Sequence, residues 1–118
     1  TMEFADWARD LKLKWIGVDC GSADHPFNTK IKDWMPNLAV EADKALQKNY
    51  GKGLDGFFCN EDYQLMHLAL FPDGVIHVEN IGGQIDEVLN KRITIGCFPW
   101  RFVDGESAFC RVVAFEEH

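Results

Sequence analysis

The sequence predicts a mixed α/β fold, and three patterns support this prediction. Apolar residues recur at helical spacing near the amino end, an alternating strand-like stretch follows the middle of the chain, and two apolar runs flank a turn sequence near the carboxyl end. Helices that alternate with short strands are typical of α/β proteins. We therefore expect one domain over 1–118.

Composition limits the classes of function. The 118 residues are 47% hydrophobic and 13% aromatic, which is enough for a core of its own or for part of a larger one. With 12 basic and 19 acidic side chains the net charge is −7, and a nucleic-acid backbone or an anionic membrane surface would repel such a chain. No apolar run approaches about 18 residues and no signal peptide is evident, so we expect a cytoplasmic protein.

The first elements are a helix and a strand. Phe4, Trp7, Ala8 and Leu11 predict an amphipathic helix that begins near Thr1 and Glu3. A short buried strand over 14–19 and a polar loop over 20–26 follow.

The middle of the chain combines a long helix with loops. Strong helix formers predict a helix over 36–49, with an apolar stripe at 38, 42, 45 and 46 and an end at 50–53. A glycine-rich loop covers 51–60, a helical turn over 63–70 carries His67, and Pro72-Asp73-Gly74 forms a turn.

Strands dominate the carboxyl part. The alternation over 75–79 predicts a strand with Val75, His77 and Glu79 on one face. A helical turn over 86–89 precedes two core strands, 92–98 and 108–115, which we expect to form a hairpin through the turn at 104–106.

His67 and Glu79 are the candidate metal ligands. They lie twelve positions apart across a turn, and imidazole nitrogen and carboxylate oxygen both bind Zn²⁺ or Mn²⁺. Two ligands make half a site, because a catalytic ion needs at least three protein ligands and an open position. His77 shares the face of Glu79 and could reach the site or pair with a neighbour; we favour a structural role for it.

Other polar residues have weaker patterns. Asp19, Ser22 and Asp24 are expected to cap backbone groups in the loop after the first strand.

The four cysteines form no C-x-x-C pair, which excludes a zinc ribbon. Cys97 and Cys110 fit core strands, whereas Cys20 and Cys59 could face a pocket. Thr1 precedes Met2, which suggests that a segment was removed; we disfavour Thr1 as a nucleophile, because a helix start follows it.

The chain resembles the carboxyl-terminal half of the putative cyclase family. The resemblance rests on Trp15-Ile16-Gly17-Val18-Asp19, on Ser22-x-Asp24, on His67, on Val78-Glu79-Asn80-Ile81 and on Phe98-Pro99. It runs over nearly the whole chain and is weakest over 27–60, which looks like an insertion. It implies a swivelling β/α/β fold and the chemistry of metal-dependent hydrolases similar to kynurenine formamidase and isatin hydrolase. His67 and Glu79 would bind one or two Zn²⁺ or Mn²⁺ ions, and Glu79 would also take part in proton transfer or bridge two ions.

The family motif H-x-G-T-H-x-D-x-P-x-H, which supplies most of the metal ligands, has no counterpart in this sequence. The enzyme would therefore consist of two chains, with the motif on the partner, or the sequence is a fragment that cannot act alone; we favour two chains. Such an enzyme would hydrolyse an amide, a cyclic amide or a lactone, and Phe57, Phe58 and Trp100 could line a flat substrate pocket. The alternative is a non-catalytic scaffold or assembly subunit, which would bind no metal.

Overall fold

The computed structural model describes residues 1–59, 61 and 63–116. The chain forms two compact units, Thr1–Asn80 and Ile81–His118. Both units contain helices or helical turns and one small sheet, so the predicted mixed α/β class is confirmed.

In the residues of unit 1, Thr1–Asn80, that the structure describes, there are four α-helices and two strands. They are α1 (Met2–Asp10), β1 (Trp15–Gly17), α2 (Ile31–Trp34), α3 (Pro36–Tyr50), α4 (Leu65–Leu70) and β2 (Ile76–Val78). Short 3-10 helices lie at Pro26–Asn28, Leu54–Gly56 and Phe71–Asp73. The predicted helices and strands of this part of the chain are thus present, with strands shorter than expected.

Strands β1 and β2 run parallel, with Ile16 opposite His77. Two further backbone hydrogen bonds extend the pairing beyond the strand ends, from Val18 to Val78 and from Asn80 to Cys20, both 2.9 Å. The carboxyl ends of parallel strands meet at one edge of a sheet. This pairing therefore places the loop after β1 beside the residues that follow β2.

The core of unit 1 forms where α1 packs on α4. Ala5 and Ala8 are completely buried, and they lie in one cluster with apolar residues of α4 and the residue before β2 (Met66, Ala69, Leu70 and Val75). The predicted apolar face of α1 is only partly confirmed. Ala8 is buried, but the large side chains Phe4, Trp7 and Leu11 are 40–55% exposed. Small residues face α4 because they let two helix backbones approach closely.

Helix α3 confirms the predicted segment and its end. Gly51 follows it with φ = 70°, a left-handed conformation that glycine adopts without a steric penalty. No residue of α3 is buried, and Leu38 of its expected apolar stripe is 46% exposed. Ala45 is also exposed, whereas Ala42 and Leu46 are half-buried, so the stripe is only partly open to solvent within unit 1.

Unit 2, Ile81–His118, is built on the predicted hairpin. A 3-10 helix at Ile85–Val88 precedes β3 (Thr94–Pro99) and β4 (Cys110–Phe115), which pair antiparallel from Thr94–Phe115 to Pro99–Cys110. Among the residues of this unit that the structure describes, none is buried. The two-stranded sheet therefore has no core of its own.

Within the described ranges no helix combines the length and the apolar character needed to cross a bilayer.

Candidate metal centre

Three potential ligand side chains converge where β2 ends. His67 comes from α4, His77 from β2 and Glu79 from the residue after β2, and one ligand atom of each lies within 4.8 Å of the others. His77 and Glu79 are two positions apart, so an extended backbone directs both to the same side. All three are half-buried.

Asp24 fixes the position of His67. Its carboxylate is almost fully buried and accepts hydrogen bonds from the backbone N–H of Met66 (2.8 Å) and His67 (3.2 Å) at the start of α4. Oδ2 of Asp24 also lies 2.6 Å from Nδ1 of His67. This contact places the proton of a neutral His67 on Nδ1 and leaves the lone pair of Nε2 free.

Glu79 is held by the loop after β1. Its Oε1 accepts a hydrogen bond of 2.9 Å from the backbone N–H of Ala23 and lies 3.7 Å from Nε2 of His67. That separation is long for a hydrogen bond. Two atoms bound at about 2.1 Å to one tetrahedral ion lie about 3.4 Å apart, so the pair is spaced as co-ligands of a metal would be.

His77 completes the cluster. Both of its ring nitrogens are buried and have no hydrogen-bond partner in the described part of the chain. Burial lowers the pKa of His77, and nearby His67 lowers it further, which favours the neutral imidazole that binds metals. Its ring packs against His67 and Phe71, with centroid distances of 4.7 and 4.6 Å.

The residues fit a divalent cation. An imidazole with two unpartnered buried nitrogens is costly, and coordination of an ion by one of them would remove part of that cost. Two imidazoles and one carboxylate are a typical ligand set of catalytic zinc and also suit manganese. Three protein ligands leave one tetrahedral position for a further ligand.

The three polar residues of the loop after β1, Asp19, Ser22 and Asp24, have different roles in the structure. Ser22 accepts a hydrogen bond from the backbone N–H of Asp24 (3.1 Å) within the loop, as a capping residue would. Asp24 itself reaches out of the loop to α4 and His67, a role beyond the local capping that we expected. Asp19 is exposed, and its carboxylate takes no hydrogen bond from the residues described.

From the sequence we expected a structural role for His77, and no pattern connected Asp24 with His67. The spacing of His77 and Glu79 already indicated a shared face. The link from Asp24 to His67 spans 43 positions and has no local pattern.

The aromatic residues proposed for a pocket lie in different units. Phe57 and Phe58 line a cavity of about 300 Å³ in unit 1, together with Asp24. Trp100 belongs to unit 2 and is 71% exposed. That these side chains contact a substrate stays a prediction.

Comparisons with known proteins add no relative: no family model matches the chain, and searches of curated proteins and of solved structures also give no match. The resemblance to the putative cyclase family therefore rests on the residues quoted above.

Proposed function

We propose that this chain supplies part of the metal centre of a metal-dependent hydrolase that acts on an amide, a cyclic amide or a lactone. His67, His77 and Glu79 would hold Zn²⁺ or Mn²⁺, and Asp24 would position His67. The observation that carries the proposal is that an imidazole whose two buried nitrogens have no partner among the described residues lies within 4.8 Å of a second imidazole and a carboxylate. The resemblance to the putative cyclase family supports the choice of reaction and substrates.

The chemistry that a divalent ion supplies at such a site is Lewis-acid chemistry, which acidifies water and polarises a carbonyl oxygen. Asp24 keeps the proton of His67 on Nδ1, so that Nε2 points into the cluster as a donor atom. Glu79 stands beside Nε2 of His67 and can accept a proton from water and return it to the leaving nitrogen or oxygen.

A second chain is part of the proposal. It would carry the H-x-G-T-H-x-D type of motif and complete the ligand set. Exposed apolar side chains support a partner: Trp100, Val103 and Phe109 of unit 2 are 71%, 92% and 86% exposed. Such surface costs free energy in water, and a packed partner would remove it.

Calorimetric titration of the metal-stripped chain with Zn²⁺ and Mn²⁺ tests the ligand set. We expect one ion per chain, and we expect His77→Gln and His67→Gln each to weaken binding at least about tenfold, because each removes one of three ligands. His25→Gln is the matched control, since His25 is a histidine of the same unit outside the cluster, and it should leave the affinity unchanged.

The reaction is tested on natively purified protein by intact-mass spectrometry, metal analysis and a screen of cyclic amides. A second polypeptide with the histidine-rich motif, bound metal and ring opening would support a two-chain hydrolase. A single species without metal in both the titration and the native sample would reject the hydrolase and favour the non-catalytic scaffold.

A further inference from the structure

Three aromatic rings pack against one another at the candidate metal centre. The ring centroids of His67, Phe71 and His77 lie 4.6 to 4.9 Å apart in all three pairs. The planes of His67 and Phe71 are inclined by 70°, and those of Phe71 and His77 by 49°. Edge-to-face and tilted contacts at such distances are favourable for aromatic rings. Phe71 therefore packs on both imidazoles of the cluster.

The two imidazoles are oriented in different ways. The carboxylate of Asp24 holds Nδ1 of His67 at 2.6 Å, whereas neither ring nitrogen of His77 has a hydrogen-bond partner among the residues described. A metal-bound histidine is usually oriented by a hydrogen bond from its second ring nitrogen, which fixes the direction of the lone pair that binds the ion. Within the described part of the chain His77 has no such hydrogen bond, so the direction of its ring depends on the side chains packed against it.

Phe71 is not part of the core of unit 1. It is 48% exposed, and it belongs neither to the buried cluster between α1 and α4 nor to the partly buried apolar residues packed against that cluster. A phenylalanine stabilises a fold mainly when its ring is buried among apolar side chains. The ring of Phe71 instead contacts His67 and His77. Its position is therefore better explained by the imidazoles than by the core.

The turn that carries Phe71 is fastened on both sides. Phe71 directly follows α4, and its carbonyl accepts a hydrogen bond of 2.9 Å from the backbone N–H of Gly74. Arg9 of α1 donates to the carbonyl of Ala69 (2.6 Å) and to the carboxylate of Asp73, which lie two positions before and after Phe71. These contacts hold the backbone of the turn, so the ring of Phe71 stays against the imidazoles.

From these contacts we infer that Phe71 is a positioning residue of the candidate metal centre. Its ring blocks rotation of the His77 imidazole and so keeps one nitrogen of His77 within 4.8 Å of the ligand atoms of His67 and Glu79. Ring packing thus replaces the hydrogen bond that orients most metal-bound histidines. This inference rests on the proposed function, because the direction of the His77 ring matters to an ion that the three ligands share.

Removal of the ring tests the inference on metal affinity. In calorimetric titrations with Zn²⁺ we expect Phe71→Ala to bind about tenfold more weakly than the wild type, because loss of a group that orients a ligand typically costs at least this much. Phe71→Tyr keeps the flat ring and should restore most of the affinity. Equal affinities of the wild type and Phe71→Ala, or a Phe71→Tyr variant as weak as Phe71→Ala, would overturn the inference.

Two controls exclude a general loss of structure. Phe4→Ala is the matched variant, because Phe4 is 40% exposed and lies on α1 outside the three rings, and it should leave the Zn²⁺ affinity unchanged. If circular dichroism shows that Phe71→Ala does not fold, Phe71→Leu replaces it, since leucine is apolar but lacks the flat ring.

A double-mutant cycle tests whether Phe71 acts through His77. In a chain that already carries His77→Gln, Phe71→Ala should not weaken Zn²⁺ binding further, because the ligand that it positions is absent. Independent effects would instead multiply to a loss of about a hundredfold, and that result would overturn the inference.

The orientation of His77 is also measurable without metal. In NMR spectra recorded with EDTA, we expect contacts between the ring protons of Phe71 and His77, and Phe71→Ala should lower the order parameter of the His77 ring by about a third. An unchanged order parameter would overturn the inference whether or not the chain binds Zn²⁺. Failure of the wild type to bind Zn²⁺ would reject the proposed function, whereas equal binding by the wild type and a folded Phe71→Ala variant would reject only the role of Phe71.

Discussion

Asp24 joins the stability of unit 1 to its candidate chemistry. One buried carboxylate accepts hydrogen bonds from the start of α4 and orients the imidazole of His67. The residue at the amino cap of α4, Gln64, makes no capping hydrogen bond with its side chain, so Asp24 performs that function from a distant loop. A single substitution should therefore affect both folding and metal binding.

Asp24→Ala should lower the free energy of unfolding by about 3 kcal/mol, because it leaves two backbone N–H groups of α4 without an acceptor. Asp24→Asn keeps an acceptor oxygen but loses the charge, so we expect smaller destabilisation and a Zn²⁺ affinity reduced about 10- to 100-fold. Urea denaturation and calorimetry measure the two effects. Normal metal affinity in Asp24→Asn would contradict the positioning role.

His77 should make the metal-free protein sensitive to mild acid. Its pKa is lowered in the folded state by burial, whereas in the unfolded chain it lies near 6.5, so below that pH the unfolded chain binds more protons. The contribution of neutral His77 to the free energy of unfolding should be fully present above pH 6.5. It should be lost as the pH drops from 6.5 toward the lowered pKa of His77. Urea midpoints from pH 5 to 8 measure this loss.

His77→Gln is the control for the pH effect. The variant lacks the titrating imidazole, so the part of the pH dependence that His77 causes should be absent from the variant and should appear as the difference between the two proteins. Identical pH profiles of the wild type and the variant would show that protonation of His77 does not affect folding.

At the scale of elements, the contact between α1 and α4 depends on small side chains. Ala8 is completely buried against α4. We expect Ala8→Leu to destabilise the protein by about 1–3 kcal/mol, because the added atoms force the helices apart. The same change at the exposed Ala45 of α3 should have little effect, and urea midpoints of both variants test the difference.

The hairpin holds one thiol of low reactivity, Cys97. Burial and a hydrogen bond with the Cys110 side chain raise the pKa of Cys97 to about 11. We expect iodoacetamide at pH 8 to modify Cys97 at least about tenfold more slowly than the exposed Cys20, because the thiolate is the reactive form. Mass spectrometry of peptides over time measures the rates, and Cys110→Ser should speed the reaction of Cys97.

At the scale of the whole molecule, the distribution of apolar side chains is uneven. The buried residues lie in unit 1, and in the described part of unit 2 every apolar side chain is at least partly exposed. A two-stranded hairpin is marginally stable alone in water. The surface of unit 2 therefore favours association.

We expect the purified chain without a partner to self-associate at micromolar concentration. Sedimentation velocity should show species heavier than 13.5 kDa, and co-expression with the proposed partner chain should give a defined complex instead. Phe109→Ser, at a residue that is 86% exposed, should reduce the association. A stable monomer over this concentration range would contradict the expectation.

Much of the local structure was predictable because local signals determine it. Gly51 ends α3 and Gly74 ends the turn after α4, both with positive φ, as their glycines indicated. His67 and Glu79, the candidate ligands taken from the sequence, lie close together in a group that could hold a metal ion. The buried face of α1 was predicted less well, since helical spacing alone does not tell which apolar side chains a neighbouring helix can accommodate.

The sequence by itself determined the order of helices and strands, the turns and the types of ligand side chain, because backbone propensity and hydrophobic period act over a few residues. Only the tertiary structure decided that β1 and β2 pair in parallel, that Asp24 reaches His67 and that His77 joins the cluster. These contacts depend on segments that are distant in sequence, and their free energy comes from packing and burial rather than from local preference.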